Sequence, residues 1–246
     1  MSTRPDYISE PILEMLEKYG VTTVELGAQS MCDDVLMLSK RGHTAKDTCL
    51  AAEMIKKRKI KLGLQMMVGL PGDCEEKTIY TAREIVRLGA DMARVYPTVV
   101  LYDTELYNMY KCGQYEPLSV EDAVAWSAKA VAVLEGCGIP VIRIGLQETD
   151  TLGKGVAGGA YHPATGDMVR ARIMRSVLEE YILKNKPSAL EILADKKSVS
   201  HIVGYKRENI IYITDMYKIP IRIKEGLKGV YINGEKVFFG KEDKNE

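Results

Sequence analysis

Clustered cysteines are missing from this 246-residue sequence: Cys32, Cys49, Cys74, Cys112 and Cys137 are widely scattered. Zinc sites and iron–sulfur loops draw two or three cysteines from within a few residues, and no segment here has that spacing. Five is an odd number, and the chain is too long for a disulfide-framework miniprotein, so the thiols read as free and structural. Net charge is missing too, with 34 Lys and Arg against 34 Asp and Glu. No global electrostatic footprint points to nucleic acid or to a membrane surface, although a local patch stays open. No apolar run approaches the roughly 18 residues of a membrane span, and the N-terminus lacks a signal-peptide pattern. The expectation is a soluble, cytoplasmic chain without a membrane partner. Internal repeats and low-complexity segments are also absent.

What is present is a hydrophobic content of 46%, enough for one good-sized core and a small appended unit. Helix and strand signals alternate. Ser9 precedes a helix with Ile12, Leu13 and Leu16 inward that stops at Gly20, and residues 21–27 read as a strand. A short helix covers 33–39. Thr44 with Asp47 opens a capping-box helix to about residue 57. Residues 61–70 read as a strand, 73–89 as a helix, 92–101 as a strand, 106–111 as helical turns, 119–135 as a long helix and 140–146 as a strand. Connections this long imply parallel pairing with right-handed crossovers. Four strands fall short of the eight of a complete barrel of about 250 residues. The predicted fold is therefore α/β, a partial (β/α) TIM-type barrel entered in its middle, occupying 1–186 with a helix at 167–183. Residues 153–166 are Gly-rich and irregular. Residues 187–246 read as a small α/β accessory unit with strands at 189–194, 210–213, 219–223 and 230–239, Asn233-Gly234 as a hairpin turn, and a fraying end.

Four segments carry candidate chemistry, each at a strand's C-terminal end, the functional face of such barrels. In Val24-Glu25-Leu26-Gly27-Ala28-Gln29-Ser30, Glu25 and Gln29 break an apolar strand. They suit ribose hydroxyls or an amino-acid head group, or equally a satisfied polar pair in the core. In Lys40-Arg41-Gly42-His43-Thr44, Arg41 and His43 stand before a helix N-terminus and suit an anion, or form a solvated loop. In Gln65-Met66-Met67-Val68-Gly69-Leu70-Pro71-Gly72, Gln65 is polar inside a strand, and Gly69 permits close backbone approach, while the methionines pass for core filler. Arg94 and Tyr96 on one strand and Arg143 on the next need counter-charges. Glu25 is one candidate and a substrate carboxylate or phosphate another. The basic run Lys56-Lys57-Arg58-Lys59 reads as a solvated helix end more readily than as a phosphate contact.

In order along residues 2–147, Thr-Arg-Pro-Asp, Glu-Leu-Gly-Ala-Gln-Ser, Lys-Arg-Gly-His-Thr, Met-Val-Gly-Leu-Pro-Gly and Arg-Val-Tyr-Pro-Thr-Val-Val-Leu-Tyr-Asp-Thr-Glu-Leu resemble radical S-adenosylmethionine (SAM) proteins. The nearest types are the elongator catalytic subunit and oxygen-independent coproporphyrinogen oxidase. Residues 158–169, with Tyr161-His162-Pro163, look like short bacterial elongator-like proteins. The resemblance implies S-adenosylmethionine as cofactor. Gln29 and Arg41 match contact positions of the oxidase type, and Gln65 matches a third that is commonly Asp there. Glu25 joins this set, and the Gly69–Gly72 turn matches one that shapes the adenine pocket. Arg94, Tyr96, Tyr102, Arg143 and His162 are the substrate candidates, for RNA or a small molecule. The family's Cys-x-x-x-Cys-x-x-Cys loop for a [4Fe–4S] cluster is not in this sequence. By resemblance it lies upstream, in about 100 further residues of a barrel of about 250. The tail does not resemble an acetyl-CoA-binding domain, so acetyl transfer is not implied.

Two readings follow. One is the C-terminal portion of a radical SAM enzyme, acting on an unknown substrate and possibly on tRNA, that is inactive alone and has the missing barrel half as partner. The other is a non-catalytic nucleotide- or substrate-binding module. An accidental likeness would not order the motifs along the chain. Half a barrel would leave the strand at 21–27, or the stub before Arg4, with an open edge. Inward side chains including Val24, Leu64, Met66 and Val99 would be wet, so marginal stability or dimerisation is expected. The cysteine spacing makes a further prediction. Anaerobic reconstitution of this polypeptide should load no four-iron cluster, and near-stoichiometric iron with broad visible absorption would contradict that.

Overall fold

A computed structural model describes residues 1–146, 155–226 and 229–237. By their contacts they form two compact units, Met1–Pro163 and Ala164–Glu246.

The first unit runs β1 (Ser2–Thr3), α1 (Glu10–Lys18), β2 (Thr23–Gln29), α2 (Asp33–Leu38), α3 (Ala45–Lys56), β3 (Lys61–Val68), α4 (Glu75–Arg87), β4 (Met92–Pro97), β5 (Val99–Leu101), α5 (Glu105–Lys111), α6 (Val120–Gly136), β6 (Val141–Ile144) and β7 (Val156–Gly159). The main sheet has the order β1-β2-β3-β4-β6 and every pairing is parallel. Helices α3, α4 and α6 pack on it. Strand-then-helix repetition with parallel pairing makes this the partial β/α barrel that the sequence predicts. The capping signals are where expected at two helices. Thr44 and Asp47 close a reciprocal capping box on α3, and Ser119 accepts from the Asp122 amide at α6. Ser9 makes no side-chain cap on α1.

Side-chain alternation divides the sheet sharply. Val24, Leu26 and Ala28 on β2, and Leu62, Leu64, Met66 and Val68 on β3, are 0–1% exposed. Ala93 and Val95 on β4 are likewise buried. These residues form the helix-covered face. Their neighbours Glu25, Gln65, Met67, Arg94 and Tyr96 are only partly buried and, by the two-residue period, point the other way. The sequence expectation placed Val24, Leu64 and Met66 inward, and the structure corrects it: they face the helices, and the barrel's inner face is largely polar. Val99 is not in this sheet at all.

Two further corrections concern element boundaries. The strand expected at 92–101 is two, because β5 leaves the parallel sheet to pair antiparallel with β7. β7 itself lies inside the segment expected to be irregular. Of the two edges expected, the strand at 21–27 or the stub before Arg4, the second holds: the stub is β1, which pairs with β2 through Ser2↔Glu25 and Thr3↔Leu26 and stands outermost in the sheet.

The second unit contains α7 (Thr165–Asn185), β8 (Leu190–Ala194), α8 (Lys196–Val203), α9 (Glu208–Tyr217), β9 (Ile221–Glu225), β10 (Val230–Ile232) and β11 (Glu235–Val237). Its sheet has the order β11-β10-β8-β9, with the Asn233-Gly234 hairpin as expected. Residues 210–213, expected as a strand, are in helix α9, and α8 was not anticipated. The helix α7, placed with the barrel by the 186/187 boundary of the sequence reading, groups by contacts with this unit. Its Met174, Leu178 and Ile182 share a core with Leu190, Ile192, Ala194, Val230 and Ile232. The end of the strand expected at 230–239, and the expected fraying tail, lie outside the described residues.

The face assignment is directly testable. Leu64→Ala should cost about 2–5 kcal/mol. Gln65→Ala, one residue on and facing the other way, should cost about 1 kcal/mol. Urea unfolding followed by Trp126, the one tryptophan of the chain, compares them. A larger cost for Gln65→Ala than for Leu64→Ala would mean that the two faces have been exchanged.

Candidate functional site

The inner face of the main sheet carries a chain of polar contacts. The Cα register sets Ser2 beside Glu25, Glu25 beside Gly63, and Gln65 beside Arg94 and then Arg143. Gly63 has a steric reason: a Cβ there would stand 2.7 Å from Glu25 Cγ. Its absence lets Glu25 lean across β3. Arg94 Nη2 donates to Glu25 Oε1 at 2.7 Å, and Arg94 Nε lies 2.6 Å from Oε2. That second contact is off-line and is not a hydrogen bond, so it counts as ion pairing only. Gln65 Nε2 donates to Glu25 Oε2 and to Ser2 Oγ, both at 3.0 Å. Arg94 Nη1 donates weakly to the Tyr96 hydroxyl at 3.4 Å. Glu25 first, and then Tyr96, hold the Arg94 guanidinium protonated more firmly than usual.

A second group gathers at the C-terminal end of β2. Gln29 is 8% exposed and has a φ of 64°, a left-handed backbone that costs a non-glycine residue about 1–3 kcal/mol. The strand bulges between Leu26 and Gln29, which lifts Gln29 out of the regular alternation. The Arg41–His43 loop is tied to this end of β2, since His43, 5% exposed, bonds the Ala28 carbonyl through Nε2 at 3.1 Å. His43 Nδ1 and Arg41 Nε are buried without a hydrogen-bond partner. Burial pushes the Arg41 pKa down, and the Arg4 charge adds to the effect. Arg4 itself is paired with Asp6 at 2.7 Å and donates to the Gly42 carbonyl at 3.2 Å. Arg41 is thus a half-buried cation whose Nε lacks an acceptor, next to a second cation.

The third group is the turn from Gly69 to Gly72. Gly69 has a φ of 79°, and a Cβ there would lie 2.6 Å from Leu118 Cδ1, so only glycine fits. Asp73 does not cap α4, where Cys74 is the N-cap. Instead its Oδ2 accepts from the Gly69 amide at 2.8 Å and the Thr78 hydroxyl at 2.9 Å, and its Oδ1 from the Cys74 amide at 2.9 Å. Tyr115 donates its hydroxyl to the Gly69 carbonyl at 2.6 Å. Burial, and then the Asp73 charge, push the Tyr115 phenol well above its ordinary range. Beside the turn lies a cavity of about 170 Å³ lined by Asp73, Gln114, Tyr115, Leu118 and Trp126 among others.

Glu25, Gln65, Arg94 and Tyr96 are therefore joined, Arg143 is aligned with Arg94 in register, and Gln29 and Arg41 sit at the end of β2. His162 follows β7 and belongs to none of the main-sheet strands, and Tyr102 stacks edge-on with Tyr107 at a 5.1 Å centroid distance. Ser2, Asp73 and Tyr115 went unnoticed in the sequence. Asp73 carried a signal, an Asp four residues after a strand-ending glycine, whereas Tyr115 carried none. Among the described residues, no group of three or more His, Cys, Asp or Glu can hold a metal ion. Among the described residues, no helix is long and apolar enough to cross a membrane.

Two family models match this chain. The one described as Radical SAM superfamily matches residues 1–85, and the Radical_SAM C-terminal domain matches 90–175. A tRNA uridine(34) acetyltransferase of Methanocaldococcus infernus is 36% identical over 140 residues, covering 54% of this chain and 26% of that protein. Elongator complex protein 3 of Homo sapiens is 32% identical over 178 residues, covering 70% and 31%. The solved archaeal Methanocaldococcus infernus Elp3 with an N-terminal deletion superposes with a TM-score of 0.61 at 30% identity, covering 75% of this chain and 41% of that one. The chain thus spans only 26–31% of the length of these curated relatives.

The turn gives a pH prediction. Burial, the largest influence, raises the Asp73 pKa above its ordinary 3.8 despite three hydrogen bonds that lower it. A carboxyl with a raised folded pKa contributes stability below its unfolded value, lost as pH rises through the folded one. Carbon NMR titration of the side-chain carboxyls should show Asp73 titrating above 3.8. Asp34 and Asp47, held down by Lys77 and by the Thr44 amide respectively, should titrate below it. An Asp73 midpoint below those two would mean that its three hydrogen bonds outweigh burial.

Proposed function

Because the chain belongs to the radical SAM superfamily, among its elongator-like members, we propose that the end of β2 and the inner face of the main sheet bind S-adenosylmethionine beside an RNA substrate. The observation that carries this reading is Arg41, a half-buried guanidinium with a buried Nε that lacks an acceptor. An α-carboxylate is the anion such a group fits. Gln29, at the adjoining strand end, can both donate and accept, as an amino-acid head group or a ribose requires. Glu25 and Gln65 are pre-set by their mutual hydrogen bond, and Gly69 leaves room for close approach at the turn. The ligand, when bound, is the family's source of a carbon radical.

A four-iron cluster does not fit the residues described here. The cysteines are scattered, Cys112 and Cys137 are exposed and the other three half-buried, and no three candidate ligands converge. What this chain's residues supply is binding and orientation, which also suits a nucleotide-binding module. RNA is proposed as the substrate class because a relative is a tRNA uridine(34) acetyltransferase, and Arg94, Tyr96, Arg143 and His162 are proposed to face it.

Calorimetry with S-adenosylmethionine on the full chain tests the pocket. Binding should be weak, and either Gln29→Ala or Arg41→Gln should weaken it about tenfold, equivalent to about 1.4 kcal/mol. Tight binding unchanged by both substitutions would show that the pocket lies elsewhere.

A further inference from the structure

The matched family models end at residue 175, before the four-stranded sheet of the second unit. That sheet also has two unlike faces. Leu190, Ile192, Ala194, Val230 and Ile232 pack against Leu178, Ile202 and Ile213 of the helices. The alternate residues point away, and among the described residues no helix covers them. They form two rows. Lys236 pairs with Tyr231, Tyr231 with Leu193, and Leu193 with Lys224, while Glu191 pairs with Arg222. Glu191, Leu193, Arg222, Lys224, Tyr231 and Asn233 line an open cleft of about 370 Å³.

The chemistry of this cleft is specific. Its floor is one half-buried aromatic ring and one aliphatic side chain. Among the described residues, Arg222 and Lys224 stand on the face beside one carboxylate, Glu191. Glu191 does little to cancel Arg222: their contact is 3.8 Å long, and the two side chains are 67% and 80% exposed. Pairs this open are worth almost nothing. Asn233 is occupied by the hairpin, its side chain accepting from the Glu191 amide at 2.7 Å and donating to the Ala189 carbonyl at 3.1 Å. The hairpin that frames the cleft is therefore held rigidly.

We propose that this open face binds a single-stranded polynucleotide, with a base against Tyr231 and Leu193 and the phosphodiester backbone against Arg222 and Lys224. A stacking platform flanked by cations is the arrangement that holds single strands without reading sequence. An acidic peptide would use the cations but leave the aromatic floor without a planar partner. The inference shares only its ligand class with the reading of the first unit and does not need S-adenosylmethionine, so either can fail alone.

The test is fluorescence anisotropy of a labelled decauridylate RNA titrated with the full chain at several salt concentrations. Binding should weaken linearly on a log–log plot. Arg222→Gln or Lys224→Gln should each lower the slope by about 0.7 for every phosphate no longer neutralised. Tyr231→Ala should weaken binding roughly tenfold with the slope unchanged, and Tyr231→Phe should retain it. If Tyr231→Ala disturbs folding by circular dichroism, the phenylalanine variant and the two exposed cation variants decide the matter. Absence of binding, binding indifferent to the cation variants, or equal binding of an oligoglutamate of the same length would each overturn the proposal.

Discussion

The main sheet works because successive strand residues point to opposite sides, and here those sides meet different media. One side is wholly apolar and lies under α3, α4 and α6. The other carries Glu25, Gln65 and Arg94. An ion pair on the helix-covered side would bear the full cost of dehydration. On the inner side, the Arg94 and Glu25 side chains keep 23% and 16% of their exposure, so the cost is partial and one charge-assisted hydrogen bond, with a second close ion contact, offsets it. Gly63 belongs to the same constraint, since any side chain there would displace Glu25 from the place where Gln65 and Arg94 reach it. A one-residue slip in the register of a strand would therefore exchange both faces at once.

Much of this was legible in the sequence. Glu25, Gln65 and Arg94 each interrupt an apolar run, and those interruptions mark the inner face. What the apolar runs hide is the parity of their members. Leu64 and Gln65 are adjacent, so they cannot both point into the barrel, and Val24 cannot share a face with Glu25. Applied strictly, the two-residue period assigns Val24, Leu64 and Met66 to the helices without any coordinates. The expected instability from wet apolar side chains then loses its premise for these three residues.

Other features had no local signal. Residues 210–213 contain three isoleucines and a tyrosine, a composition that favours strands. Yet Ile213 is fully buried while Ile211 is 55% exposed, because tertiary packing selects a helix with one inward stripe. The strand at 92–101 breaks at Thr98 because β5 finds a partner in β7, far along the chain. The clamp on the Gly69 turn combines Asp73, four residues away, with Tyr115, which lies 46 residues away in sequence. Local patterns show where a turn must be. They do not show which distant hydroxyl will hold it.

The neutral total charge conceals a second level of organisation. On the inner face of the first unit, Arg94 and Glu25 meet at 2.6–2.7 Å and largely cancel, whereas Arg41, in the loop at the end of β2, has a buried Nε without a hydrogen-bond acceptor. On the open face of the second unit, the Glu191 carboxylate is too distant and too wet to compensate Arg222. Both sheets follow the same plan, apolar under helices and polar on the open side, but they differ in how completely the open side balances its charges. Compensation is a matter of distance and burial, not of counts, so a chain with equal numbers of both signs can still leave single cations poorly compensated.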